Sequence, residues 1–203
     1  MVKNILFDMG GVLLRFEPRL FVGRLGLDDA DSEIILREVF HSLEWVCMDR
    51  NSMTEEEAFR SMCTRIPTRL HAAAREVFDH WDMPRLEMDG AYDLVKELSD
   101  NGYGLYLLSN ASVRHSKYWP DLPLSKFFGD RLMVSAFHGV MKPEAAFFEK
   151  AFELFSLDRR ECLFIDDFPV NMEGAMRVGL DGIVYHGDPE LLRVRLREKG
   201  VKI

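Results

Sequence analysis

Three short, nearly all-apolar runs, each closing on polar residues, narrow the folds open to this chain more than any other feature. Residues 3–8 close on Asp8, with Gly10-Gly11 just beyond; residues 105–108 close on Ser109-Asn110; residues 162–165 close on Asp166-Asp167. Runs that are apolar at successive positions read as strands buried on both faces. Leu132-Met133-Val134 and residues 182–185 are two further candidates. Between these runs the apolar period becomes helical. Residues 89–98 are helical and stop near Asn101-Gly102, and Pro143 opens a stretch with Phe148, Ala151, Phe152 and Phe155 on one face. Another helix follows the acid pair to about Val178 and is stopped by Gly179, and a last one begins at Pro189. This alternation predicts an α/β fold, a doubly wound parallel sheet covered by helices on both sides.

One stretch breaks the alternation. Residues 18–81 contain no strand candidate, while Ile35, Leu36, Val39 and Phe40 recur at helical spacing, as do Leu70, Ala73, Ala74 and Val77. Thr54 and Glu57 form a capping-box pair, with Met53 as the apolar residue before the cap. The stretch reads as three or four packed helices. The predicted division is a core from residues 1–16 and 86–203, with residues 17–85 inserted after the first strand.

Composition excludes several classes of function. At 203 residues, 47% hydrophobic and 30% charged, the chain has the make-up of a globular domain. A net charge of -8 argues against nucleic acid or an anionic membrane surface as partner. No apolar run approaches the ~20 residues of a membrane-spanning helix, and the N-terminus lacks the pattern of a signal peptide. Cys47, Cys63 and Cys162 are too scattered for a disulfide framework or a zinc site, so a cytoplasmic location is expected.

In an open parallel sheet, ligands bind at the carboxyl ends of the strands, where the strand order reverses. Asp8, Ser109-Asn110 and Asp166-Asp167 all lie at such ends, and Lys142 stands at a helix start. Singly, each has an ordinary reading as a turn residue, a helix cap or a surface lysine. The adjacent acids are different, because crowded carboxylates repel unless a cation lies between them. A carboxylate nucleophile, a hydroxyl and a lysine for phosphate oxygens, and an acid pair for Mg²⁺ make up the equipment of phosphoryl transfer. The bound partner would be a small phosphorylated molecule.

The order of these elements resembles the haloacid dehalogenase superfamily along nearly the whole chain. The four motifs are Phe7-Asp8-Met9-Gly10-Gly11-Val12-Leu13, then Leu108-Ser109-Asn110, then Gly139-Val140-Met141-Lys142-Pro143, and finally Phe164-Ile165-Asp166-Asp167 followed by Asn171 and Gly174-Ala175. The resemblance implies a Rossmann-like core with the inserted helices as a cap. It implies Asp8 as nucleophile, with Ser109, the Asn110 backbone and Lys142 holding the phosphoryl oxygens. It implies Mg²⁺ held by Asp8, the Gly10 carbonyl and Asp167, with Asp166 in or just behind that shell and Asn171 supporting it. Within the superfamily, the Asp-x-Gly first motif, Asp49-Arg50 and Trp119-Pro120 are similar to sugar-phosphate phosphatases, including α-D-glucose-1-phosphate phosphatases. That similarity implies a sugar-like substrate and makes Trp45, Asp49 and Arg50 candidate cap contacts.

The chain also departs from the pattern. Phosphatases of this superfamily usually carry a second acid two positions after the nucleophile, and Gly10 occupies that place. Glycine can offer a carbonyl but no proton, and general acid–base help is worth ~10²–10⁴-fold. Two other readings therefore stay open: a metal-free hydrolase acting on carbon–halogen bonds, and a non-catalytic phosphate-binding regulator. Trp119 and Cys162 read as packing residues, Phe147, Phe148, Phe152 and Phe155 as core, and His115 and His138 as exposed loop residues near the motifs.

Overall fold

The computed structural model describes residues 1–83 and 86–203. Five parallel strands form one sheet: β1 (Asn4–Phe7), β2 (Gly104–Ser109), β3 (Leu132–Val134), β4 (Cys162–Asp166) and β5 (Asp181–Val184), in the order β3-β2-β1-β4-β5. Strand alternation sends their side chains into two separate apolar layers. Ile5, Phe7, Leu105, Leu107, Leu163 and Ile165 enter one layer, whereas Leu6, Leu108 and Phe164 enter the other. The first layer is covered by α6 (Ala91–Asp100) and α10 (Pro189–Glu198), the second by α8 (Ala145–Phe155) and α9 (Pro169–Arg177). The doubly wound sheet expected from the sequence is therefore the fold observed.

From β1 the chain steps outward to β2 and β3, then returns to the other side of β1 for β4 and β5. The strand order thus reverses between β1 and β4. Phe7 pairs with Ile165 and Asp8 N–H donates to the Ile165 carbonyl at 2.8 Å, which brings Asp8 and Asp166 side by side at that crevice.

Between β1 and α6 lie α1 (Pro18–Gly23), α2 (Asp29–Ile35), α3 (Leu43–Asp49), α4 (Glu55–Cys63) and α5 (His71–His80). They enclose an apolar cluster of their own, with Phe21, Val39, Met62 and Val77 among its members. The chain leaves and re-enters the α/β part along paired stems. Arg15 N–H donates to Leu86 O and Met88 N–H to Leu13 O, at 2.8 and 2.9 Å. The capping box at the start of α4 forms as expected, with Thr54 N–H on Glu57 Oε2 at 2.9 Å and Glu57 N–H on Thr54 Oγ1 at 3.3 Å.

Three expectations change. The inserted stretch has five α-helices among the described residues rather than three or four, because α1 and α3 span only 6 and 7 residues, too few to develop a legible apolar period. Pro143 does not open α8: it follows a cis Lys142–Pro143 peptide, Glu144 is extended, and the helix begins at Ala145. His115 is buried rather than exposed, stacked on Trp119 at 5.2 Å. Trp119, Cys162, Phe147, Phe148 and Phe152 are buried as packing residues. Phe155 packs against the same layer, partly buried.

Candidate active site

Lys142 is the centre of the crevice between β1 and β4. Its ammonium lies 2.8 Å from Asp8 Oδ1 and 2.7 Å from Asp166 Oδ2, and the residue is only 2% exposed. Burial alone would push a lysine pKa down, but the two carboxylates outweigh it and hold Lys142 above its ordinary value. Burial, helped by the charge on Asp166, raises the Asp8 pKa against the pull of Lys142. A lysine at the start of a helix-like segment reads from sequence as a surface residue. Here the turn around Pro143 aims it inward.

Asn110 makes that inward turn specific. Its side-chain amide donates to Lys142 O at 2.9 Å, and its Oδ1 accepts from Lys142 N–H at 2.8 Å. Thus the end of β2 reads the backbone of the third motif directly. Ser109, buried at the same strand end, lines the cavity beside it.

The two adjacent acids are used differently. Asp166 is fully buried and committed on both oxygens: Oδ1 accepts from Phe168 N–H at 2.8 Å, and Asn171 Nδ2 donates to both oxygens at 3.1 and 3.2 Å. Asp167 is exposed, and partial burial of its carboxyl, with the neighbouring Asp166 charge, raises its pKa. Asp8, Asp166 and Asp167 each offer a carboxylate oxygen, all within 4.8 Å of one another. Hard oxygen donors gathered this closely suit a small divalent cation, which would relieve their repulsion.

Above Asp8 opens a cavity of about 260 Å³. Asp8, Gly10, Ser109, Asn110, Lys142 and Asp167 form its floor. Its wall is apolar and aromatic: Phe16, Phe21, Trp45 and Trp81 line it, with Tyr118. The rings touch edge to face, Phe16 and Trp81 at 5.6 Å between centroids and Trp45 and Trp81 at 5.3 Å. Phe16 lines the cavity and stays 38% exposed.

Of the sequence-level candidates, Trp45, Asp49 and Asn110 line this cavity together with the motif residues. Arg50 does not; it pairs with Glu144 ahead of α8 and donates to Gly139 O at 3.5 Å, tying the inserted helices to the third-motif segment. Phe16, Phe21, Trp81, Tyr118, Asp82 and Ser112 line the cavity without any signal from the motifs. They come from five separate segments.

Comparison with known proteins agrees with this fold. The chain is 23% identical over 186 residues to the sesquiterpene phosphatase astK of Aspergillus oryzae, covering 89% of this chain and 88% of that one. In three dimensions it superposes on a HAD family enzyme from Bacteroides thetaiotaomicron, in complex with magnesium and inorganic phosphate, with a TM-score of 0.71 at 20% identity over 95% of this chain and 99% of that one. It likewise superposes on the HAD-hydrolase YfnB of Bacillus subtilis bound to magnesium, with a TM-score of 0.74 at 21% identity over 97% and 99% of the two chains. The model of the haloacid dehalogenase-like hydrolases matches residues 2–179, so the chain belongs to this family of hydrolases.

Proposed function

We propose that this hydrolase is a Mg²⁺-dependent phosphatase that cleaves a small phosphate monoester through a phosphoryl group carried on Asp8. The observation that carries this reading is the Asp8–Lys142–Asp166 arrangement, with Asp167 beside it, at the point where the strand order reverses. Asp8 attacks phosphorus, the P–O bond to the alcohol breaks, and that oxygen takes a proton as it leaves. Water then attacks the acyl phosphate, releasing inorganic phosphate and restoring the Asp8 carboxylate. Lys142, Ser109 and the Asn110 backbone hold the phosphoryl oxygens, and Lys142 offsets the repulsion between two anions that must meet. Asp8, Asp167 and the Gly10 carbonyl are the direct Mg²⁺ ligands in this reading, and Asp166 sits behind them, its oxygens occupied by Lys142, Phe168 and Asn171. Bound Mg²⁺ would neutralise charge on the transferring group.

Residues 17–85 act as the cap, shaping the space for the alcohol half of the substrate. That space favours an apolar alcohol over a sugar. Apolar surface buried against Phe16, Phe21, Trp45 and Trp81 gains about 25 cal/mol per Å², while Asp49, Asp82 and Ser112 are polar groups on the same lining. Of the features that resembled sugar-phosphate phosphatases, Trp119 is buried against His115 and Phe128 and Arg50 pairs with Glu144, while Gly10 and Asp49 line the cavity. The relative named as a sesquiterpene phosphatase is consistent with an apolar substrate.

The test is release of inorganic phosphate from a panel running from sugar phosphates to prenyl and arylalkyl phosphates, with Mg²⁺ and with excess chelator. Activity that is greatest on apolar esters and lost with the metal supports the reading. Full phosphate release in chelator would overturn the Mg²⁺ dependence; no release from any ester would favour one of the two other readings, with halide release from a 2-haloacid pointing to the carbon–halogen hydrolase and its absence to the binding regulator.

A further inference from the structure

The proton for the leaving oxygen has no source in the first motif, because Gly10 stands where an acid would. Two other carboxyls line the cavity beyond the Asp8–Asp167 floor: Asp49 and Asp82. Asp82 faces Arg114, its Oδ1 4.0 Å from a guanidinium nitrogen. No cationic side chain among the described residues pairs with Asp49.

The position of Asp49 is strongly determined. It is the last residue of α3, and that end of the helix is fastened to the α/β part at several points. Ser135 Oγ donates to Asp49 O at 2.5 Å, and the next residue, Arg50, holds Glu144 and Gly139 O. The Asp49 carboxyl also faces the backbone N–H of Ser112, three residues beyond Ser109 on the loop that follows β2. A cap carboxyl is thereby fixed over the loop that bears the phosphoryl-binding residues, opening on the same cavity.

We propose that Asp49 is the catalytic acid of this site, giving its proton to the bridging ester oxygen in place of the acid that Gly10 lacks. The inference rests on the phosphatase reading. As the P–O bond breaks, its electron pair goes to the alcohol oxygen, which takes the Asp49 proton, and Asp49 is left as a carboxylate. When water attacks the acyl phosphate, that carboxylate takes a proton from the water and is ready again. Burial, which outweighs the Ser112 N–H, raises the Asp49 pKa to about 7, so a protonated fraction is available near neutrality. Carrying the acid on the cap would also make proton delivery depend on the cap being docked.

The experiment is single-turnover release of alcohol by wild type, Asp49→Asn, Asp49→Glu and Asp82→Asn, with Mg²⁺, from 4-nitrophenyl phosphate and from 2-phenylethyl phosphate. Asp49→Asn should slow the phenylethyl ester by ~10²-fold or more and the nitrophenyl ester by less than tenfold, because nitrophenolate leaves without a proton. Asp49→Glu should recover part of the loss, and melting temperatures identify any variant that has not folded. Equal losses on both esters, no loss on either, or a selective loss in Asp82→Asn instead would overturn the assignment while leaving the phosphatase reading intact. No hydrolysis of either ester by wild type would overturn both.

Discussion

The Asp167 carboxylate packs directly on the backbone of Gly11. A Cβ built on Gly11 would overlap that carboxylate, with even its Cγ only 2.6 Å away, and Gly11 has φ +72°, in the region that disfavours side chains. Two constraints therefore coincide at one position: the turn after β1 needs positive φ, and the acid from β4 needs the space. Gly11→Ala should cost roughly 1–3 kcal/mol of stability and move Asp167, so that phosphatase activity falls well beyond the loss of folded protein. Denaturant unfolding set beside specific activity per folded molecule separates the two effects.

Asp167→Ala should behave in the opposite way. Asp167 is exposed, and its charge is disfavoured by partial burial and by Asp166. Its removal should leave the melting temperature unchanged or slightly higher in metal-free buffer, yet abolish turnover. Mg²⁺ should raise the melting temperature of wild type and no longer that of the variant, by mass action on the folded state. An equal Mg²⁺ shift in both proteins would count against Asp167 as a ligand.

Lys142→Met differs from a surface-lysine change. Sequence alone suggests little effect on melting, but Lys142 is 2% exposed between two carboxylates. Its loss leaves uncompensated buried charge, and breaking such a pair typically costs about 3–5 kcal/mol. Turnover should fall by about 10²-fold or more as well. Calorimetry with kinetics on the folded fraction checks both parts.

The inserted helices carry their own acid-sensitive joint. Glu44 is buried and accepts from Arg65 Nη1 and Nη2 at 2.8 and 2.7 Å and from Ser61 Oγ at 2.6 Å. The Arg65 hydrogen bonds, opposed by burial and aided by Ser61, lower its pKa from the ordinary 4.5 to about 2. A depressed carboxylate pKa adds stability that is fully present above about pH 4.5 and is lost as pH falls through about 2. Because Arg65 is 41% exposed, the contribution is held to about 1–2 kcal/mol. Glu44→Gln should be less stable by that amount at pH 7 and show a flatter loss between pH 4.5 and 2 in urea titrations.

Gly10, unlike Gly11, has room for a side chain. Its φ is not positive, and the nearest atom to a built Cβ is Phe16 Cβ at 3.6 Å, an ordinary contact. Gly10→Asp should therefore fold normally. With Asp49 supplying the proton, the gain on alkyl phosphates should be small in wild type and large, up to ~10²-fold, in an Asp49→Asn background. A large gain in the wild-type background would mean that no other group fills the role.

The sheet and its chemistry were legible in the sequence because both depend on neighbours along the chain. Buried parallel strands read as apolar on both faces, and three of these close on polar residues, so Asp8, Ser109-Asn110 and Asp166-Asp167 announce both the strands and the site. The capping box at Thr54 is local in the same way. What only the tertiary structure decided involves residues far apart in sequence. Lys142 becomes a buried partner of Asp8 because Asn110 grips its backbone; the third motif pointed Lys142 to the site, but neither its burial nor this grip is written near residue 142. The aromatic wall gathers Phe16, Phe21, Trp81 and Tyr118, which no motif marks, around Trp45, the one of the five that the sequence offered as a candidate. Tertiary structure also parts Asp49 and Arg50, adjacent residues that point to different tasks, one into the cavity and the other onto Glu144. Strand periodicity is set by the backbone, whereas a pocket is set by which distant side chains meet when the inserted helices dock on the sheet.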